Sequence, residues 1–334
     1  MRIGPLRLRV EIEKWPMVAP FRITGQVWEF SEALVIGLEK DGQTGLGEAA
    51  GVFYRNDAPA SMLVQIERLR RDIEAGLTRE WVQELLPPGG ARNALDCALW
   101  DLEAKLLGRP VWEIAELQKP RSLLTTFTCG ADTPEKMAEA ARRYVSARAI
   151  KIKLTGEPSD ADRVSAVRDA KPGVWLAVDA NQGFTRPELE RLMPTLIKTG
   201  VQLIEQPFPV GQESLLDSFK SPIPIAADES VQGLADLPGL VGRFNVVNIK
   251  LDKCGGLTEG LAMARAAHRF GLDTMVGNML GTSLAMAPSF LVGQLCRVVD
   301  LDGPVFLKSD RANSVQYTDG YIACPDAVWG GPRL

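Results

Sequence analysis

The 334-residue sequence predicts an α/β protein, a (β/α)7β barrel of the TIM type over residues 121–334 behind a smaller α+β unit over residues 1–120. Three observations lead there. The first fifty residues alternate as strands do, and the next seventy carry helical spacing. From residue 121 short apolar runs recur at a near-constant interval, each closed by a polar residue. With 46% hydrophobic and 24% charged positions, a chain of this length can bury two cores.

In the first unit Leu6, Leu8, Val10 and Ile12 share one parity, and Ala33, Val35 and Gly37 lie in a second run. Asp41-Gly42, between Leu38–Glu39 and Thr44–Gly47, is a hairpin turn. Beyond Gly51, residues 58–75 carry Met62, Ile66, Leu69 and Ile73 on one helical face, and residues 91–107 carry Leu95, Leu99, Leu102 and Leu106.

The later runs are LLTTFTCG, AIKIKL, VWLAVDA, VQLIEQP, PIAADES, FNVVNIK, DTMVGNM and RVVDLDG, with amphipathic segments such as PEKMAEAARRYVSA between them. One polar residue from each run gives Thr128, Lys153, Asp179, Glu205, Asp228, Lys250, Asn278 and Asp302, spaced 22 to 28 residues apart. That spacing is one strand plus one helix per step, and eight strands close a parallel barrel. Only short segments follow the eighth run, so its helix is reduced or missing.

The net charge of −4 comes without a basic stripe, which excludes nucleic acid as a partner. No apolar run approaches the roughly 20 residues of a membrane span; the stretch Leu284 to Cys296 is broken by Pro288, Ser289, Gly293 and Gln294. The N-terminus, MRIGPLRLRVEIEKW, reads as a strand and not as a signal peptide. Five scattered cysteines without a CxxC pair fit a reducing, cytoplasmic setting. His268 is the one histidine, in a helical segment, which excludes chemistry needing two.

Functional groups in such barrels stand at the C-terminal strand ends. In AIKIKL, Ile150, Ile152 and Leu154 face one way, so Lys151 and Lys153 face the interior, where an unpaired ammonium costs several kcal/mol. Asp179, Glu205 and Asp228, ending three successive runs, supply the opposite charge. Three converging carboxylates need a cation, and an all-oxygen set suits Mg²⁺. Lys250 arrives across the barrel from the second strand. A metal flanked by lysines can bind a carboxylate substrate and stabilise an enolate, with a lysine on either face moving the α-proton. Alone, each of these residues would be a solvated loop residue; five on consecutive strands read as an active site. Glu229 has the opposite parity and reads as a supporting acid. Gly45-Leu46-Gly47 lacks a third glycine and a following helix, so it is no dinucleotide fingerprint, and Gly255-Gly256 reads as the tight turn presenting the site.

Lys151-Ile-Lys153, Asp179-Ala-Asn181, Glu205-Gln-Pro207, Asp228-Glu-Ser230 and Asn248-Ile-Lys250 together resemble the motifs of the enolase superfamily, in its muconate-lactonizing-enzyme-like subgroup. The resemblance implies an N-terminal capping domain over the barrel. It implies Asp179, Glu205 and Asp228 as Mg²⁺ ligands, Lys153 and Lys250 as the acid/base pair, and Lys151 as an aid to the enolate. The branch that uses a histidine base does not fit a chain whose histidine is His268. Asp300-Leu-Asp302-Gly303 resembles the DxD of dipeptide epimerases, where two aspartates hold a dipeptide's free ammonium. Thr128 and Asn278 fall where the family places further substrate contacts. Many Ala-Glu epimerases carry a basic residue in the N-terminal loop; here Gln26 stands at that place, and Arg22 or Arg55 is the substitute. The strand-seven loop has Gly281 where an acidic residue is often found.

The expected protein is therefore a Mg²⁺-dependent dipeptide epimerase of the L-Ala-D/L-Glu type, inverting the C-terminal residue by a two-lysine 1,1-proton transfer, and a homo-oligomer. The alternatives are a muconate cycloisomerase, an o-succinylbenzoate synthase or an N-acylamino acid racemase of the same superfamily, or a barrel that binds carboxylates without turnover.

Overall fold

The computed structural model describes residues 2–23 and 26–332; the side chains of residues 21–27, and with them the expectations for Arg22 and Gln26, lie outside the described residues. Three antiparallel strands, β1 (Arg7–Ile23), β2 (Gln26–Lys40) and β3 (Gln43–Ala49), open the chain in the order β1-β2-β3. Asp41 and Gly42, with φ of 49° and 73°, make the tight turn between β2 and β3. Leu34, Ile36 and Leu38 alternate onto the buried face and pack on Met62, Ile66, Leu95, Leu99 and Leu102. Those partners lie on the helices Pro59–Arg68 and Gly90–Leu107. Gly45 and Gly47 are what let the second helix lie on β3: a Cβ there would meet Ala98 O at 2.2 Å and Ala94 O at 2.0 Å. The glycine pair is a packing feature.

The short β4 (Leu123–Leu124) belongs to a small antiparallel sheet described below. The barrel strands are β5 (Phe127–Cys129), β6 (Ala149–Lys153), β7 (Trp175–Asp179), β8 (Leu203–Glu205), β9 (Ile225–Ala227), β10 (Val246–Ile249), β11 (Asp273–Val276) and β12 (Val298–Val299). They hydrogen-bond in chain order, in parallel, and Thr126 N–H donates to Val299 O where the ends meet. Ala177, Leu203, Ala226, Val246 and Met275 fill the interior. Ile150 and Ile152 join the layer between strands and helices. β14 (Tyr321–Ala323) lies between β13 (Gln316–Thr318) and β4 and pairs with both, antiparallel. The chain then returns to the first unit, where Val111 N–H donates to Gly330 O and Trp329 Nε1–H to Leu46 O.

Helices of ten or more residues follow β5, β6, β7, β10 and β11. After β12 the one described helical element is the 3₁₀ turn Gly303–Phe306, in keeping with the short C-terminal segments. The connections after β8 and β9 are also reduced, to Glu213–Leu216 and Leu234–Leu240. Pro207, Pro209, Pro222 and Pro224 bound the first, and Gly233, Pro238, Gly239 and Gly242 interrupt the second. No described helix is long and apolar enough to cross a membrane.

Candidate active site

Strand register sets the site. Lys153 pairs with Asp179 across β6 and β7, and Asp179 with Glu205 across β7 and β8. Each is two residues beyond an interior apolar or buried position, so each points inward at the C-terminal mouth. Lys250 follows β10, four strands from β6 in an eight-stranded ring, so the lysines come from opposite walls. Asp300 and Asp302 follow β12, which is four strands from β8 in either direction. The DxD is thereby set across the mouth from Glu205. Lys151, Lys153, Asp179, Glu205, Asp228, Lys250, Asp300 and Asp302 are all buried.

The charges are paired. Lys153 Nζ donates to Asp179 Oδ2 at 2.5 Å and Lys250 Nζ to Asp228 Oδ2 at 2.6 Å. Lys151 Nζ bonds Asp300 and lies 3.4 Å from Glu205 and 3.8 Å from Asp179. Lys253 takes the other oxygen of Asp228 at 2.6 Å, Asp228 O at 2.5 Å and Asn248 O at 3.0 Å. Burial opposes charge on Asp228, yet Lys250 and Lys253 hold its carboxyl well below the usual carboxylate range. Burial alone would lower Lys151, but Asp300, Glu205 and Asp179 keep it well above an ordinary lysine. Glu205 goes the other way: burial, then Asp179, pushes it up to about 8. Burial and Asp300 raise Asp302 to about 6.

The backbone behind the carboxylates is strained and held. Asn181, Gln182 and Gln206, just past Asp179 and Glu205, have φ of 42°, 68° and 34°. Gln206 is fixed by accepting from Asp228 N and Ser230 N and donating to Phe208 O and Ser230 Oγ.

Among the described residues no three acidic, histidine or cysteine side chains already converge as a metal cage, because the lysines take the carboxylates. The donor set nevertheless fits a hard divalent cation. Six carboxyl groups, Asp179, Glu205, Asp228, Glu229, Asp300 and Asp302, face four lysines, Lys151, Lys153, Lys250 and Lys253, and burial together with neighbouring carboxylates raises Glu205 to about 8 and Glu229 to about 7. Asn181 Oδ1, Glu229 Oε2 and Asn248 Oδ1 are buried oxygens without a partner among the described residues. A hydrated Mg²⁺ would supply both the charge and the donors.

Above this floor lies a cleft of about 720 Å³, the size of a small-ligand site. Thr128, Lys151, Lys153, Asp228, Lys250, Asn278, Asp300 and Asp302 line it from the barrel. Asp302 accepts from Thr128 N at 2.7 Å, and Asn278 Nδ2 donates to Asp300 O at 2.6 Å. Asp300 is turned inward onto Lys151 and Thr126, whereas no lysine pairs with Asp302 among the described residues, so Asp302 is the DxD member left to meet a ligand's cation. Arg55 is not among the lining residues; its Nη1 donates to Gln232 Oε1 at 3.1 Å, while Phe53 and Tyr54 beside it line the cleft.

Glu229 corrects the parity reading. It lines the cleft, since β9 ends at Ala227 and the chain turns before Glu229, so strand alternation no longer applies. Lys253 carries no expectation above, and Asn248 only its place in the Asn248-Ile-Lys250 motif. Asn248 Nδ2 donates to Glu205 Oε1 at 2.7 Å, and its inward parity, two residues before Lys250, was the available signal. Gly255 and Gly256, with φ of 82° and 117°, let Arg92 and Asp96 pack against the turn after Lys250; a Cβ at either would lie 2.2 or 2.5 Å from them. Arg92 Nη2 donates to Cys254 O at 2.5 Å, and Asp96 accepts from Thr258 N at 2.9 Å.

A capped parallel barrel with opposed lysines over a carboxylate floor defines an acid/base enzyme of the enolase type. Residues 7–115 match the mandelate racemase / muconate lactonizing enzyme N-terminal domain, and residues 136–329 match the enolase C-terminal domain-like family. The chain belongs to the mandelate racemase / muconate lactonizing enzyme family of the enolase superfamily. It is 38% identical to an L-Ala-D/L-Glu epimerase of Escherichia coli over 94% of this chain and 98% of that protein. It is 45% identical to an N-acetyl-D-glutamate racemase of a Pseudoalteromonas species, over 74% of this chain and 78% of that one. An Agrobacterium tumefaciens enolase family member, crystallised with sodium and L-Ala-L-Glu, superposes with a TM-score of 0.94 at 37% identity, covering 98% and 100% of the two chains. A Methylococcus capsulatus dipeptide epimerase with Mg and L-Arg-D-Lys gives 0.90 at 30% identity, covering 96% and 97%.

Proposed function

We propose that this chain is a Mg²⁺-dependent dipeptide epimerase of the L-Ala-D/L-Glu type that inverts the α-carbon of the C-terminal residue. The observation that carries the reading is the pair of lysines, Lys153 and Lys250, on opposite walls, with Asp302 across the mouth from Glu205. The names of the Escherichia coli and Methylococcus capsulatus relatives support it.

Asp179, Glu205 and Asp228 would hold the ion, which when bound supplies Lewis-acid stabilisation of charge on the substrate carboxylate. Lys151, buried beneath the mouth, adds a fixed positive charge where the enolate forms. The substrate's free ammonium is received by Asp302, with Asp300 behind it. That places the C-terminal Cα–H between Lys153 and Lys250. One lysine, neutral, takes the α-proton; the other, as the ammonium, returns a proton to the opposite face, and the configuration inverts.

A second reading is favoured by the 45% identity to the N-acetyl-D-glutamate racemase: the same proton transfer on an N-acylated glutamate. It shares the lysines and differs at the ammonium. The test compares α-proton exchange on L-Ala-L-Glu, N-acetyl-L-Ala-L-Glu and N-acetyl-L-Glu, for wild type and Asp302→Asn. Epimerase function requires that the free dipeptide be preferred and that Asp302→Asn remove the preference; preference for N-acetyl-L-Glu makes it a racemase.

A further inference from the structure

β12 ends at Val299, and the last ladder pair there is Val276 with Val299. Asp300 N–H still donates to Val276 O at 2.9 Å, but beyond it side chains take over what strand pairing did. The peptide joining Asp300 to Leu301 is held at both ends: Leu301 N–H donates to Thr125 Oγ1 at 3.0 Å, and Asn278 Nδ2 to Asp300 O at 2.6 Å. The next peptide, joining Leu301 to Asp302, is held by Tyr317, whose hydroxyl donates to Leu301 O at 2.6 Å. We propose that Tyr317 is a positioning residue of the site, fixing through that peptide the direction in which Asp302 meets the substrate's ammonium; the inference rests on the function proposed above.

Asp302 has one oxygen committed, since Oδ2 accepts from Thr128 N at 2.7 Å. Rotation of the Leu301–Asp302 peptide would draw the carboxylate off that bond and change how it faces the cleft. Tyr317 resists the rotation because its own place is fixed. It pairs with Ile322 across β13 and β14, and Ile322 pairs with Leu123 of β4. β4 leads directly into β5, which carries Thr128. The donors that set Asp302, Tyr317 through the backbone and Thr128 at the carboxylate, are therefore referred to one small sheet.

The ring of Tyr317 lies edge-on to Phe127, with centroids 5.9 Å apart. Phe127 packs in turn on Tyr144, whose hydroxyl donates to Thr128 O at 3.1 Å. Burial, then the charges of Asp302, Asp310 and Asp300, holds the Tyr317 phenol well above its usual range, so it remains a donor at neutral pH. Leu301 is buried, so its carbonyl depends on that donor, and loss of the hydroxyl frees the peptide to turn.

Tyr317→Phe removes the hydroxyl and keeps the ring. Kinetics of α-proton exchange on L-Ala-L-Glu should show KM raised about 3–10-fold with kcat little changed, because the weakened contact is remote from the lysines. Exchange on N-acetyl-L-Ala-L-Glu, which offers Asp302 no cation, stays as in wild type. In the Asp302→Asn background Tyr317→Phe has no further effect on KM, since its influence passes through Asp302. Ile322→Val loosens the same sheet but spares the hydroxyl, and lowers the melting temperature without the KM change. An unchanged KM in Tyr317→Phe, or an equal rise in the Asp302→Asn background, overturns the assignment while leaving the epimerase intact. Wild type without exchange on any free dipeptide overturns the epimerase reading, and this assignment with it.

Discussion

Asp228 holds two ammonium groups at once, Lys250 on Oδ2 and Lys253 on Oδ1. Lys253 also ties Asp228 O to Asn248 O, so one buried side chain fixes a proposed metal ligand to the strand that delivers Lys250. Lys253→Met leaves one oxygen of a buried carboxylate unpaired, and urea unfolding is expected to report a loss of about 3–5 kcal/mol. At the lysines themselves the expectation is first kinetic: Lys153→Ala and Lys250→Ala each lose about 10²–10⁴-fold in epimerisation, beside a lowered melting temperature because each takes a partner from the buried Asp179 or Asp228. Because the two work from opposite faces, each variant should retain proton exchange on one enantiomer more than on the other. The residues legible from sequence were those on strands or one step past them, where a period of two assigns Lys151, Lys153, Asp179, Glu205, Asp228 and Lys250 to one side. Lys253 and Glu229 escaped because each lies two or more residues past its strand end, where the period has stopped and only the turn decides direction.

The turn from Lys250 to Thr258 is the element on which the cap bears most directly. Arg92 and Asp96 grip it from the helix Gly90–Leu107, and Asp252 Oδ1 accepts from Gly51 N at 2.8 Å, linking it to the loop that carries Phe53 and Tyr54. Gly255→Ala would put a methyl against Arg92 at φ 82°, a backbone cost of about 1–3 kcal/mol before the clash is counted. Stability and activity should fall together in that variant, as a thermal melt beside an exchange assay would show. Asp252 makes the turn pH-sensitive. Burial, against the Gly51 hydrogen bond and with Asp57 and Glu48 nearby, raises its carboxyl from the ordinary 3.8 to about 7. The folded protein therefore binds that proton more tightly than the unfolded chain. This contribution to stability is complete below about pH 4 and is lost as pH climbs through 7. Between pH 5 and 8, Asp252→Asn should lose less of its melting temperature than wild type; parallel curves would remove Asp252 from the account. Helical periodicity foretold the cap helix Gly90–Leu107, but its polar residues Arg92 and Asp96 could not be assigned to the turn, because their partners lie some 160 residues away.

In the molecule as a whole, cap and barrel are joined by an ionic knot centred on the buried Glu48. Glu48 on β3 accepts from Thr282 N at 2.8 Å and Arg311 Nη2 at 2.8 Å, and Arg311 reaches Glu13 on β1 at 2.6 Å. Ser31 Oγ donates to Leu280 O at 3.0 Å, so the loop bearing Asn278, Met279 and Leu280 is held against the cap. Arg311→Met would strand Glu48, fully buried, at a cost of about 3–5 kcal/mol. Denaturant titration should show that loss, with KM raised more than kcat is lowered as the cleft wall loosens. None of this knot was legible in the sequence: Glu13, Glu48 and Arg311 are ordinary charged residues until the fold brings them together. The eight-strand spacing was legible because each unit repeats the same task. The most direct test of the central claim is incubation with Mg²⁺ and L-Ala-L-Glu in D₂O, read by mass spectrometry and chiral analysis. One deuterium at the glutamyl α-carbon, entering as L-Ala-D-Glu appears, is the predicted result. Absence of exchange with the metal bound, or elimination in place of inversion, would contradict it.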